Sequence, residues 1–129
     1  KATSNICTNS GLCALAFSIH MTLLGERGLR DLATLNHARA VQAAKRLGAI
    51  PGVCLVNESF FNEFTLVLPK PARGVVHELA AKGVLGGVAL GRLYPDDRAL
   101  ENGLVVAVTE IVSDEDIAAL EAALKEVLA

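Results

Sequence analysis

An α+β fold is predicted for this chain, on three observations. Apolar residues recur at three and four positions up to Leu47, then alternate beyond Pro51-Gly52. The two short apolar runs that follow lie close in sequence, as the strands of an antiparallel pair do. The whole order then reads helix, helix, strand, strand, helix, strand, strand, helix, which gathers helices on one face of a short antiparallel sheet.

The elements follow in turn. Thr8, Asn9 and Ser10 can cap a first helix with their side-chain oxygens. Leu12, Leu15, Ala16, Ile19, Leu23 and Leu24 give that helix a wide apolar face, and Gly25 and Gly28 punctuate it. A second helix is expected from Glu26 to Leu47, with Leu29, Leu32, Ala33, Asn36, Ala40, Ala43, Ala44 and Leu47 on one stripe. Pro51-Gly52 is a turn, since Pro presets φ and Gly accepts a positive one. Val53 to Val56 form one short strand and Phe64 to Leu68 the next, ended by Pro69 and Pro71. Val75, Val76, Leu79 and Ala80 mark a third helix, entered through Pro71 and stopped at Gly83. The glycines from Gly83 to Gly87 lack the strand-before, helix-after context of a phosphate loop and read as a tight loop feeding a strand. The run from Leu104 to Val108 is expected as a central strand buried on both faces. Ser113 with Asp116 resembles a capping box, opening a last helix along Ile117, Leu120, Leu124 and Val127. With no repeat and no linker, residues 1–129 are expected to form a single domain, with helices over about 8–47 and an α+β part over about 53–129.

Composition excludes several classes of function. The chain is 52% hydrophobic and 20% charged, which is globular and not disordered. Net charge is −2 and the basic residues are scattered, Glu26 and Asp31 breaking up the stretch from Arg27 to Arg46, so nucleic-acid binding is not expected. The apolar run from Leu12 to Leu24 is broken by Ser18, His20 and Thr22 and is too short for a membrane span. Lys1 is followed by Thr3, Ser4 and Asn5, not by an apolar signal region, and the first residue is not Met. The sequence is therefore expected to begin within a longer protein. Cys7, Cys13 and Cys54 form an odd set without a Cys-x-x-Cys pair, which fits buried or half-buried free thiols in a reducing cytoplasm and no metal site.

Catalytic residues are hard to find. His20, His37 and His77 each fall within a helix, away from Cys or carboxylates at metal-ligand spacing. A Schiff-base lysine must be desolvated beside its cofactor. Lys45, Lys82 and Lys125 occupy exposed helix positions, Lys70 sits between prolines and Lys1 is terminal. None qualifies as an anchor, and no residue is assigned as catalytic. Arg92 has the chemistry to bind a carboxylate through paired hydrogen bonds, but a surface or interface ion pair is the plainer expectation.

Five blocks carry a family resemblance. Lys1-Ala-Thr-Ser-Asn-Ile-Cys-Thr8 resembles a signature of subunit 1 of glycine decarboxylase, the P protein of the glycine cleavage system. Leu35-Asn-His-Ala-Arg39, Ser59-Phe-Phe-Asn-Glu-Phe64, Gly91-Arg-Leu-Tyr-Pro95 and Val106-Ala-Val-Thr-Glu110 follow in the family's order. The resemblance spans essentially the whole chain and implies the C-terminal part of a much longer subunit. It implies the small domain of a fold-type-I pyridoxal-phosphate enzyme, a mostly antiparallel short sheet covered by helices. The complete enzyme would decarboxylate glycine and pass its aminomethyl group to the lipoyl arm of the H protein. In the split form subunit 2 carries the cofactor lysine, so this part would bind no pyridoxal phosphate of its own. Ala2-Thr3-Ser4-Asn5 resembles the segment through which one subunit of related enzymes reaches its neighbour's cofactor phosphate. That resemblance assigns Thr3, and with less support Ser4, to the phosphate, since a hydroxyl with backbone N–H groups suits it. Self-association through normally covered surface is a further expectation. The competing reading is a non-catalytic, small-ligand-binding regulatory module of the βαββαβ type.

Overall fold

The computed structural model describes residues 10–129. The described residues divide into two compact units, the first ending at Ala33 and the second running Thr34–Ala129.

The first helix, α1, runs Gly11–Gly48 and is interrupted at Gly25, whose φ of 62° and ψ of −175° are not helical. The period-based expectation of two helices meeting at this glycine therefore holds as a break within one long element. Within the first unit, Leu12, Leu15, Phe17, Ile19 and Leu23 are all exposed. Ser18 and Thr22 bond back to the carbonyls of Ala14 and Ser18, and the pairs Arg27–Asp31 and Arg30–Glu26 sit one turn apart. Such exposed pairs add only a few tenths of a kcal/mol each.

The second unit holds the sheet. Its strands are β1 (Cys54–Leu55), β2 (Glu63–Val67), β3 (Val88–Ala89) and β4 (Gly103–Ala107). They lie in the order β1-β2-β4-β3, with every neighbouring pair antiparallel. Register sets which residues face the core: Phe64 pairs with Val106 and Leu66 with Leu104, and all four are buried. On the opposite face Thr65 and Val105 are half-buried, while Glu63, Val67 and Ala107 are exposed. One covered face and one open face is the usual condition of an antiparallel sheet. It corrects the expectation that β4 is buried on both faces: β4 is interior in the sheet order, yet only alternate residues point inward.

Helices α2 (Ala72–Ala81) and α4 (Asp114–Leu128), with the C-terminal part of α1, complete the core. They contribute Ala40, Ala43, Ala44 and Leu47 from α1, Ala72, Val75 and Leu79 from α2, and Ile117, Leu124 and Val127 from α4. Small residues on α1 let its backbone approach the core closely. Pro71 precedes α2, and Gly83 follows it with φ 77°, donating to the Ala80 carbonyl. At α4 the capping box is complete: Ser113 Oγ accepts from the Asp116 N–H, and the Asp116 carboxylate accepts from the Ser113 N–H. Two short elements escaped the sequence reading, α3 (Leu90–Leu93) and a 3-10 turn at Arg98–Leu100. Both are too short for a periodic signal. In a βαββαβ module a helix separates the first two strands; here β1 and β2 are joined without one.

Candidate functional site

Three of the five sequence blocks meet near the α1 end of β2. His37, on α1, places Nδ1 2.9 Å from the Phe61 carbonyl oxygen. Donation to that carbonyl puts the proton on Nδ1 and leaves Nε2 as the acceptor of the neutral ring. The ring lies nearly parallel to Phe61 and edge-on to Phe60, and Phe60 in turn packs against Phe64, with centroids 5.3 Å apart. Leu35-to-Arg39 and Ser59-to-Phe64 thus form one aromatic stack that ties α1 to β2. Val106, from a third block, pairs with Phe64 across the sheet. On the same stretch of α1, Asn36 Oδ1 and Arg39 Nε are buried without a hydrogen-bond partner. The Arg39 guanidinium pairs through another nitrogen with Asp114, which also accepts from Gln42 at 2.9 Å. His37 is exposed, and among the described residues no carboxylate pairs with it.

A second polar cluster ties α1 to α4. Arg46 donates to Glu121 at 2.6 Å, and Lys125 reaches the other Glu121 oxygen at 2.6 Å. Hydrogen bonding from Lys125, then from Arg46, holds the Glu121 carboxyl below its usual 4.5. A carboxyl with a depressed folded value contributes stability above its unfolded value and loses it as pH falls through the folded one. The expected result is that Glu121→Gln lowers stability at pH 7 and that the deficit shrinks as pH falls below the carboxyl's usual 4.5, disappearing once pH is below its lowered folded value. Urea unfolding of both proteins at several pH values checks this; a deficit unchanged in acid would remove the ion pairs as its cause.

The block Gly91-to-Pro95 forms α3 and the turn after it. Tyr94 and Pro95 border a polar pocket of about 450 Å³ with Arg73, Asp97, Arg98 and Glu101. Two guanidiniums and two carboxylates line it, so its formal charges balance. Arg92 is exposed on α3 and does not line it. A larger apolar groove of about 600 Å³ opens beside β4.

Thr3, Ser4 and Cys7 lie outside the described residues. Cys13 and Cys54 are free thiols but exposed, which corrects the expectation of burial: Cys54 is on a two-residue edge strand and Cys13 in a stretch of α1 exposed throughout. His20 and His77 are exposed on their helices. Lys45, Lys82 and Lys125 are exposed, and the last two are paired with Glu126 and Glu121, so none is desolvated as an imine-forming lysine must be. Among the described residues no cluster of three metal-ligating side chains occurs, and no helix is long and apolar enough to cross a membrane.

Comparison with known proteins agrees over the whole chain. The family model described as glycine cleavage system P-protein matches residues 1–124. The protein named "Probable glycine dehydrogenase (decarboxylating) subunit 1" from Sphingopyxis alaskensis is 74% identical over 129 residues, all of this chain and 28% of that protein. Its namesake from Rhizorhabdus wittichii is 68% identical over the same span and share. Among solved structures, the crystal structure of glycine decarboxylase (P-protein) of the glycine cleavage system, in inhibitor-bound form, matches with a TM-score of 0.81 at 40% identity. That match covers 99% of this chain and 28% of the other. The chain thus spans a little over a quarter of the length of the relatives it matches.

Proposed function

We infer the function from one premise: the chain belongs to the glycine cleavage system P-protein family. We propose that it is a non-catalytic C-terminal part of subunit 1 of a glycine-decarboxylating enzyme. The single observation that carries this is the match over all 129 residues at 74% identity to a subunit 1 of which they span 28%. The complete enzyme would release carbon dioxide from glycine and deliver the aminomethyl group to the lipoyl arm of the H protein. Bound pyridoxal phosphate would supply the electron sink for that decarboxylation. Its anchoring lysine would belong to subunit 2, a division supported by the solvated or paired state of Lys45, Lys82 and Lys125. The cytoplasm is the proposed compartment.

Within this reading Thr3, helped by Ser4, contacts the cofactor phosphate held by the partner subunit. A hydroxyl donating to a charged phosphate contributes roughly 1.5–3 kcal/mol. Thr3→Ala in the reconstituted two-subunit enzyme is therefore expected to weaken pyridoxal-phosphate affinity by about tenfold or more, with Thr3→Ser retaining most of it. Fluorescence titration of the cofactor measures both. Unchanged affinity in the alanine variant removes this contact. Carbon dioxide release from glycine by the 129-residue chain alone, supplied with cofactor, would overturn the wider proposal.

A further inference from the structure

The larger groove contains an unfinished strand edge. In an antiparallel strand, successive residues direct their main-chain N–H and C=O to opposite neighbours. The Leu68 N–H donates to the Asn102 carbonyl at 3.0 Å and the Val108 N–H to the Asn62 carbonyl at 2.9 Å, so residues 102, 104, 106 and 108 face β2. Gly103, Val105 and Ala107 must then face the other side. There β3 pairs Val88 with Val105 and goes no further, and no described residue pairs with Ala107 from that side. The chain turns away at Gly87, whose φ is 134°. Ala107 thus offers one N–H and one C=O to the groove, spaced for a single partner strand.

Side chains around this edge define what would fit. Val84, Val88, Val112, Ile117 and Leu120 make the walls apolar. Glu63 and Asp116 also line the groove, and no basic residue does. The Ser113 N–H and hydroxyl hold the Asp116 carboxyl below its usual range, so it is charged at neutral pH. Hydrogen-bonding capacity, apolar walls and carboxylates with no basic residue beside them in the groove together describe an extended peptide with alternate apolar residues and basic residues between them.

We propose that Ala107 is the docking point of such a strand, and that the strand comes from the part of a full-length subunit that these residues do not span. Nearly three quarters of the Sphingopyxis alaskensis relative lies outside the match, which leaves ample chain to supply it. The source, though not the strand site itself, rests on reading the chain as part of a longer subunit. Amide exchange tests both. In the 129-residue chain the Ala107 N–H exchanges rapidly; a blocked Val-Lys-Val-Lys-Val peptide at millimolar concentration slows it several-fold. The same peptide N-methylated at its central residue has no effect, and a Val-Glu-Val-Glu-Val peptide has less. In the full-length relative, the segment aligned with residues 104–110 exchanges at least a hundredfold more slowly than in the 129-residue chain. Equal action of the N-methylated peptide, or a stronger effect of the glutamate peptide, overturns the strand site. Protection that grows with concentration of the 129-residue chain alone assigns the edge to a second copy and overturns the source. Rapid exchange in a full-length subunit that still forms active enzyme with subunit 2 also sinks the source, while the functional reading stands.

Discussion

Phe64→Ala is expected to remove about 4–5 kcal/mol, a large share of the stability of the sheet-bearing unit. Phe64 is 1% exposed, the largest of the fully buried side chains, and is the second residue of β2. Truncating a buried Phe costs about 3–5 kcal/mol, the lost transfer energy plus the cavity left behind. A domain of this size has roughly 5–15 kcal/mol in total. The upper half of the expected range applies here, because the ring is also the floor of the stack formed with Phe60, Phe61 and His37. Neighbours that belong to a loop and a helix cannot both collapse into the space without breaking the His37 bond to the Phe61 carbonyl. Thermal unfolding is expected to shift down by roughly 16–40 °C, since each kcal/mol moves the midpoint of a 60–100-residue domain by about 4–8 °C. Should the alanine variant fail to accumulate, Phe64→Leu keeps the test open, with an expected loss of about 1–1.5 kcal/mol. A loss below about 1 kcal/mol in the alanine variant would mean that the stack does not anchor this unit.

Reading the sequence recovered the elements whose signals are local and periodic. The alternation Phe64, Leu66, Leu68 and the spacing Ile117, Leu120, Leu124 mark what faces the core, and both were legible because burial imposes period two or 3.6 on a chain. Ser113 and Asp116 were legible because a cap is a contact between residues three apart. Contacts between distant residues leave no such trace. Nothing local shows that His37 will meet Phe61, that Arg46 will reach Glu121, or that Arg39 will pair with Asp114. The end of β3 at Val88 was hidden for the same reason: which strand a short run pairs with, and where the pairing stops, is a tertiary fact. Cys54 misled because cysteine count and spacing carry no information on where the residue falls in the sheet, while its place on an edge strand decides its exposure. The assignment of Thr3 came from resemblance, since one threonine before a helix has no chemistry that spacing alone could single out.

The glycines between α2 and β3 give a second large effect, and a graded one. A phosphate loop would make all three glycines matter through ligand binding; the fold makes them matter through three different backbone demands. At Gly83, φ is 77° and no atom lies within 4 Å of an added Cβ, so alanine costs only left-handed strain, about 1–2 kcal/mol. At Gly86 an added Cβ would come 2.5 Å from Leu79 Cδ1 and 3.2 Å from Leu120 Cδ1. Those are the ends of flexible side chains, and overpacking of this kind costs roughly 1–3 kcal/mol. At Gly87 the obstacle is rigid: φ is 134°, and a Cβ would sit 2.2 Å from the Val105 carbonyl oxygen. Backbone in that region is close to glycine-only and costs about 1–3 kcal/mol before any clash. The carbonyl cannot retreat without breaking the Val88–Val105 pairing. Gly87→Ala is therefore expected to destabilise by at least about 3 kcal/mol, more than either neighbour, in denaturant unfolding with no ligand present. Equal losses at the three positions, or a loss at Gly87 below that at Gly83, would show that the chain can leave β4 by another route. The open edge at Ala107 would then no longer be imposed by the backbone.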